Sequence, residues 1–423
     1  MIPDGDTSGG SGMGALWHPF SDMGAVEHGG EFVLARGEGV HVWDTGGTRY
    51  LDATAGLWFT NVGHGRRELA DAAREQASTL AAYSTFGDVA PEVTIRLAER
   101  LAGIAPVPGS KVFLTSGGSD SVDTAAKLAR RYWTEAGQPQ RRTLIGRQHA
   151  YHGMHFAGTS LGGIAPNADG YGDVLVPETA HVAWDDPEDL RATIERIGAE
   201  NVAAFFCEPV IGAGGVYPPP EDYLTSVRKI CTESEVLFVA DEVVTGFGRI
   251  GGSWFASTRF GLEPDMVTTA KGLTSGYIPM GAVLVAPKVA APFFEPDAGR
   301  WFRHGYTYSG HAVAAAVALA NLDLVETEGL LDEAARLERT LADAFDPLAD
   351  HERVAQVRSG TGAVAAVQLK DAAAAAPFVR SLREHGVSTR AVGAGGLQLS
   401  PAFVMTDEQV HELADAFRRV LDS

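Results

Sequence analysis

The chain has 423 residues, a formal net charge of −20 and 45% apolar residues. That length suits two or three subdomains sharing a large core, and the composition is that of a globular protein rather than a disordered one. The acidic balance argues against nucleic acid and anionic membranes as partners, since phosphates attract basic surfaces. No apolar stretch reaches the ~18 residues that span a bilayer. Only Cys207 and Cys231 are present, and Cys207 lies inside the apolar run VAAFFCEPV. A buried free thiol is expected there, and the absence of a signal-peptide pattern adds to an expectation of a reducing, cytoplasmic setting.

In chain order, residues 1–14 are rich in Gly, Ser and Asp, lack periodicity and read as an arm. Residues 17–61 mix short strand-like pieces such as GVHVWD with turn signals, and residues 67–82 and 91–103 have helical spacing. Strand and helix then alternate. KVFLTS is a strand, 119–133 a helix and RTLIGR a strand, while NVAAFFCEPVI and EVLFVADEVV are near-continuous apolar runs. Such runs suit parallel strands covered on both faces, and DMVTTA and MGAVLVAP continue the series. Beyond about residue 305 come two long helical segments, the strands VRSGTGAVAAVQL and GLQLSPAFV, and a terminal helix. The expected fold class is α/β, with a mostly parallel sheet in a large domain over 61–325. A small α/β domain would come from 1–60, which includes the arm, and 326–423.

Two residues stand at the ends of buried runs. Asp241 closes VLFVAD and Lys271 follows MVTTA, each just before Gly-rich chain. Ligands in parallel sheets sit beyond the carboxyl ends of the strands. A lysine there can form a Schiff base with an aldehyde cofactor, and a carboxylate can pair with a pyridinium nitrogen, so the pair suits pyridoxal phosphate. Val243, two residues past Asp241, would share its strand face and pack on the ring. Gly117–Gly118–Ser119, between strand and helix, offers backbone amides to a phosphate, or is simply a tight turn. Tyr151 in HAYHGMHFAG is a candidate to stack on the ring, or is a core tyrosine. His149, His152 and His155 cluster in sequence but lack carboxylates at helical spacing, so no metal is expected.

Taken together these segments resemble the class III aminotransferases of the pyridoxal phosphate fold type I. ADEVVTGFGR, TTAKGLTSGYIPMGA, SGGSDSVDTAAKLAR, AYHG, EPVIGAGG and HGYTYSGH match family blocks in order along nearly the whole chain. The resemblance implies a homodimer with shared sites. Gly118 and Ser119 would hold the phosphate, Tyr151 would stack on the ring, and Asp241 would hold its nitrogen. Lys271 would carry the cofactor, and Thr307 would reach the phosphate of the neighbouring subunit. Glu208 in EPV matches a position that supports the site.

The subgroup is also legible by resemblance. Ornithine, acetylornithine and GABA aminotransferases carry a late arginine and an offsetting glutamate, where this chain has Gln398 and Ala213. Without that arginine a glutamate or 2-oxoglutarate preference loses its carboxylate clamp. Arg390 in STRAVG instead matches the mobile arginine of the ω-amino acid and amine:pyruvate aminotransferases. Trp58 would line the substrate pocket, with Phe86 and Tyr306 nearby, the alternative for each being core packing. The expected reaction moves an amino group from an amine or ω-amino acid to pyruvate. Three rivals remain at this stage. They are an S-adenosylmethionine-dependent diaminopelargonic acid aminotransferase, an aminomutase, and a non-catalytic regulator for which no basic DNA-binding segment is present.

Overall fold

The structure, a computed structural model, describes residues 14–297 and 299–423. Apart from Gly14, the arm expected over 1–14 lies outside the described residues. The strands in chain order are β1 (Leu34–Glu38), β2 (His41–Asp44), β3 (Arg49–Asp52), β4 (Lys111–Thr115), β5 (Thr143–Arg147), β6 (Thr179–Val182), β7 (Val202–Cys207), β8 (Leu237–Asp241), β9 (Met266–Thr269), β10 (Gly281–Val285), β11 (Val354–Arg358), β12 (Ala365–Leu369), β13 (Val387–Ser388), β14 (Ala391–Val392) and β15 (Gly396–Leu399).

The central sheet has seven strands in the order β4-β10-β9-β8-β7-β5-β6. β7, β8 and β9 are buried along their whole length, which is why their sequences run apolar without alternation. All neighbours in this sheet are parallel except β10, which runs antiparallel to both β9 and β4. The parallel series expected from the sequence is corrected at that strand. Only residues 270–280 separate β9 from β10, whereas a parallel crossover needs about a dozen or more residues and usually a helix.

Two four-stranded sheets flank this one, β1-β2-β3-β13 and β11-β12-β15-β14. The first joins distant parts of the chain, because Val387 and Ser388 pair in parallel with Leu51 and Asp52. The helix Ala312–Thr327 has no polar face in its middle turns and is buried on several sides. Its Val317 and Val325 pack in the core beneath the flanking sheets, while Ala314, Ala315, Ala318 and Leu322 pack in the core of the central sheet. It is thereby the shared wall of both cores. On the other face of the central sheet lies the helix Gly118–Glu135, through Val122, Ala125, Ala126, Leu128 and Ala129. Among the described residues no helix is long and apolar enough to cross a membrane.

Candidate active site

β8 and β9 are neighbours in register, with Asp241 opposite Thr268. Both therefore end at the same edge of the sheet, and Asp241 and Lys271 open onto one cavity of about 330 Å³. Gly118, Ser119, Tyr151, Glu208 and Val243 also line it.

Asp241 is buried and held from three directions. Its Oδ1 accepts from Thr268 Oγ1 at 2.9 Å and from the Val243 amide at 3.2 Å, and its Oδ2 lies 2.7 Å from His152 Nδ1. A carboxylate beside Nδ1 places the ring proton there. His152 Nε2 is buried and has no partner among the described residues. The Val243 amide closes a local turn on the Asp241 side chain. β8 consequently stops at Asp241, and Val243 reaches the cavity from a turn instead of from the strand face expected of it.

Lys271 is half-buried and has φ of +43°, a conformation that side chains with a Cβ seldom adopt. Burial lowers its ammonium to a pKa of about 8. Asp241 and Glu208 oppose that shift, and Arg390 adds to it. Glu208 lies just past β7. Its Oε1 accepts from the Tyr151 amide and its Oε2 from the Gly212 amide, both at 2.9 Å. Burial pushes its carboxyl pKa up, opposed by His152, with Asp241 adding to the rise. Glu208 thus pins the backbone of two loops, a support for which the sequence suggested no chemical step.

The cradle at the start of helix Gly118–Glu135 is tight. A Cβ on Gly118 would come within 2.9 Å of Val243 Cγ1, and one on Gly153 within 2.5 Å of Ser119 Oγ. Ser119 Oγ also accepts from the Met154 amide at 3.1 Å, so the AYHG loop rests on the SGGS loop. Amides and helix dipole together make such a turn a phosphate site. With an acid and an amine at the floor of the same cavity, the residues present fit pyridoxal phosphate.

Arg390 stands just before β14, half-buried, with Nε donating to Gln398 Oε1 at 2.6 Å. Burial lowers its guanidinium pKa, with Tyr151 opposing. It lies within electrostatic reach of both Tyr151 and Lys271.

Five expected residues stand apart from the cavity wall, Arg390 and the four that follow. Trp58 is 2% exposed and packs with Val210, Val216, Ile250 and Val392, while its neighbours Leu57 and Phe59 line the cavity. The backbone turns there, with φ of +66° at Gly56 and +68° at Trp58. Phe86 is 59% exposed, Thr307 is exposed, and Tyr306 donates from Oη to the Asp120 carbonyl at 3.0 Å. The three histidines go separate ways. His149 packs on Tyr217, His152 meets Asp241, and His155 Nε2 lies 2.7 Å from Asp120 Oδ1. The sequence singled out His152 only within its cluster of three and gave it no part beside Asp241, where it stands. Cys207 and Cys231 are buried and unpaired.

Fold and cavity together define a cofactor-dependent enzyme of the open α/β kind. The class-III aminotransferase family matches residues 24–421. The putrescine–pyruvate aminotransferase of Pseudomonas aeruginosa is 40% identical, over 96% of this chain and 93% of its own. A thermostable (S)-enantioselective ω-transaminase from Thermomicrobium roseum superposes with a TM-score of 0.91 at 38% identity, covering 96% of this chain and 95% of that one. The ω-transaminase of Pseudomonas jessenii in complex with PMP superposes with a TM-score of 0.89 at 33% identity, covering 96% of each chain. The chain belongs to the class-III aminotransferases, and its cofactor is pyridoxal phosphate.

Proposed function

We propose that this enzyme transfers an amino group from an amine or ω-amino acid to pyruvate, by a ping-pong course that releases L-alanine. The observation that carries this reading is Arg390, a cation held by the neutral Gln398 within electrostatic reach of Lys271. A guanidinium so placed suits a small carboxylate in one half-reaction and can give way to an apolar amine in the other. The relatives named for pyruvate support the same acceptor and weigh against the S-adenosylmethionine alternative.

Pyridoxal phosphate, when bound, supplies an aldehyde for the lysine and an electron sink for the carbon that loses its proton. In this reading the chain's own residues divide the remaining work. The Gly118 and Ser119 amides hold the phosphate, with Thr307 of a second copy completing the grip in a homodimer. Asp241, oriented by His152 and Thr268, holds the ring nitrogen protonated. Val243 and Tyr151 bracket the ring faces, and Glu208 keeps the Tyr151 backbone in place. Lys271 would hold the cofactor through its amine. That amine, when free, would move a proton to and from the substrate carbon next to nitrogen. Arg390 orients the pyruvate carboxylate in the return half. Leu57 and Phe59 form the apolar wall on the donor side, with Trp58 bracing them from behind and Phe86 and Tyr306 meeting the second subunit's pocket.

An acceptor panel at a fixed amine donor tests this. Pyruvate is expected to exceed 2-oxoglutarate in kcat/KM by at least about tenfold, since the latter's second carboxylate has no matching arginine at Gln398. Preference for 2-oxoglutarate would overturn the reading.

A further inference from the structure

Arg390 is mobile only if something defines where it rests, and the structure supplies that rest. Gln398 sits in β15, between β12 and β14, and is fully buried. Its backbone is fixed to the arginine's own stretch, because the Gln398 amide donates to the Arg390 carbonyl at 3.0 Å and Thr389 Oγ1 donates to the Gln398 carbonyl at 2.6 Å.

The side-chain amide has a forced orientation. Arginine is donor-only, so the atom 2.6 Å from Arg390 Nε is the Gln398 oxygen. The amide nitrogen then donates to Ser400 Oγ at 2.7 Å, and Ser400 Oγ donates onward to the Thr54 carbonyl at 3.1 Å. Each hydrogen in this relay has one direction that satisfies every member. Thr54 immediately precedes the turn that carries Leu57 and Phe59 to the cavity wall. The relay therefore ties the arginine to the donor-side wall.

The contact uses Nε and leaves the two terminal nitrogens. Among the described residues neither of these has a hydrogen-bond partner, and no carboxylate forms a salt bridge with Arg390. A guanidinium fixed through Nε presents its terminal pair as a fork for a carboxylate. A neutral acceptor grips it less firmly than a carboxylate would, so the side chain can leave.

We propose that Gln398 is a positioning residue for substrate choice: it presents the terminal fork of Arg390 to the carboxylate of short 2-amino and 2-oxo acids, and its lack of charge lets the arginine withdraw for donors without one. This rests on Arg390 as the carboxylate anchor in the reading above.

The test uses holoenzyme in single half-reactions, with L-alanine and with 1-phenylethylamine as separate donors, for wild type, Q398E, Q398L and R390L. In Q398E a charge-assisted pair would hold the arginine in its presenting position, so that it could not withdraw for the amine. In Q398L the fork would lose its support. Q398L is expected to raise the half-saturating alanine concentration, and Q398E the half-saturating amine concentration, by about tenfold or more. The other donor's half-saturating concentration in each variant, and the saturating rates, should change less than about threefold. Melting temperatures of cofactor-free protein check that each variant folds, and Q398L serves if a buried glutamate at 398 is not tolerated. Parallel shifts for both donors in either variant, or unchanged alanine saturation in folded Q398L, overturn the inference while R390L still weakens alanine. If R390L itself leaves alanine saturation unchanged, the carboxylate anchor falls, and this inference falls with it.

Discussion

Lys271 is held in a state that the proposed chemistry needs and its fold resists. Burial lowers its ammonium to about pH 8 from an ordinary value of 10.5. In the unfolded chain the amine stays protonated up to the ordinary value, so the folded state binds fewer protons between the two. The penalty is therefore complete below pH 8 and disappears as pH rises toward 10.5. Cofactor-free K271M is expected to be more stable than cofactor-free wild type at pH 7 by about 1–3 kcal/mol, an advantage that shrinks above pH 10. Denaturant unfolding at the two pH values measures it, and equal stability at pH 7 would contradict the cause assigned to the shift. Turnover in K271A should fall about 10³-fold or more. His152 offers a second prediction. H152A leaves Asp241 Oδ2 without its 2.7 Å partner, and an unsatisfied buried acceptor costs about 1–3 kcal/mol. Titration of the cofactor-free protein with pyridoxal phosphate should therefore show affinity lower by about 10- to 100-fold. Unchanged affinity would mean that Asp241 needs no orienting partner. Asp241 and Lys271 were legible because a lone charge at the end of an apolar run is conspicuous. His152 was not, since a histidine in a cluster of three gives no sign of which neighbour it meets.

At the scale of elements, strands buried on both faces announced themselves, and β7, β8 and β9 lie inside the runs read as strands. What the sequence hid depends on chain geometry. β10 reads like its neighbours and runs the other way because its connection is short. VRSGTGAVAAVQL reads as one strand, but the SGTG segment divides it into β11 and β12, which pair antiparallel. β6 is buried only at Val182 and gave no apolar run. The helix Tyr223–Glu233 lacks a side-chain N-cap bond to mark its start. Trp58 is the sharpest case, since positive φ at Ala55, Gly56 and Trp58 turns it into a core cluster while Leu57 and Phe59 reach the cavity. Close packing makes a further prediction. A Cβ on Gly146 in β5 would fall 2.1 Å from the Leu161 carbonyl oxygen, a backbone atom that cannot step aside. G146A is expected to destabilise the protein by about 3 kcal/mol, read from denaturant midpoints. A change under about 0.5 kcal/mol would show that the Phe156–Leu161 helix is not fixed against the sheet.

Across the whole molecule, one buried cation ties distant segments together. Arg249 Nη1 donates to the Ala363 and Pro401 carbonyls at 3.1 and 2.6 Å, and Nη2 to Asn61 Oδ1 at 2.6 Å, while its guanidinium stacks on Phe403 at 4.7 Å. Burial lowers its pKa to about 9. R249A would orphan three acceptors and is expected to cost about 3–5 kcal/mol. A cooperative unfolding transition displaced by less than 1 kcal/mol would contradict its role as a tie. The sequence offered Arg249 only as part of a motif, because its partners lie far along the chain.

The most direct test of the account is a half-reaction without acceptor. Holoenzyme is mixed separately with L-alanine, glutamate and S-adenosylmethionine, and the cofactor absorbance is followed together with the keto product. The account predicts loss of the cofactor band with L-alanine, release of pyruvate, and recovery of the band when pyruvate is returned in excess. Conversion by S-adenosylmethionine or glutamate but not by alanine would contradict the assignment of pyruvate as the natural acceptor and of Arg390 as its anchor.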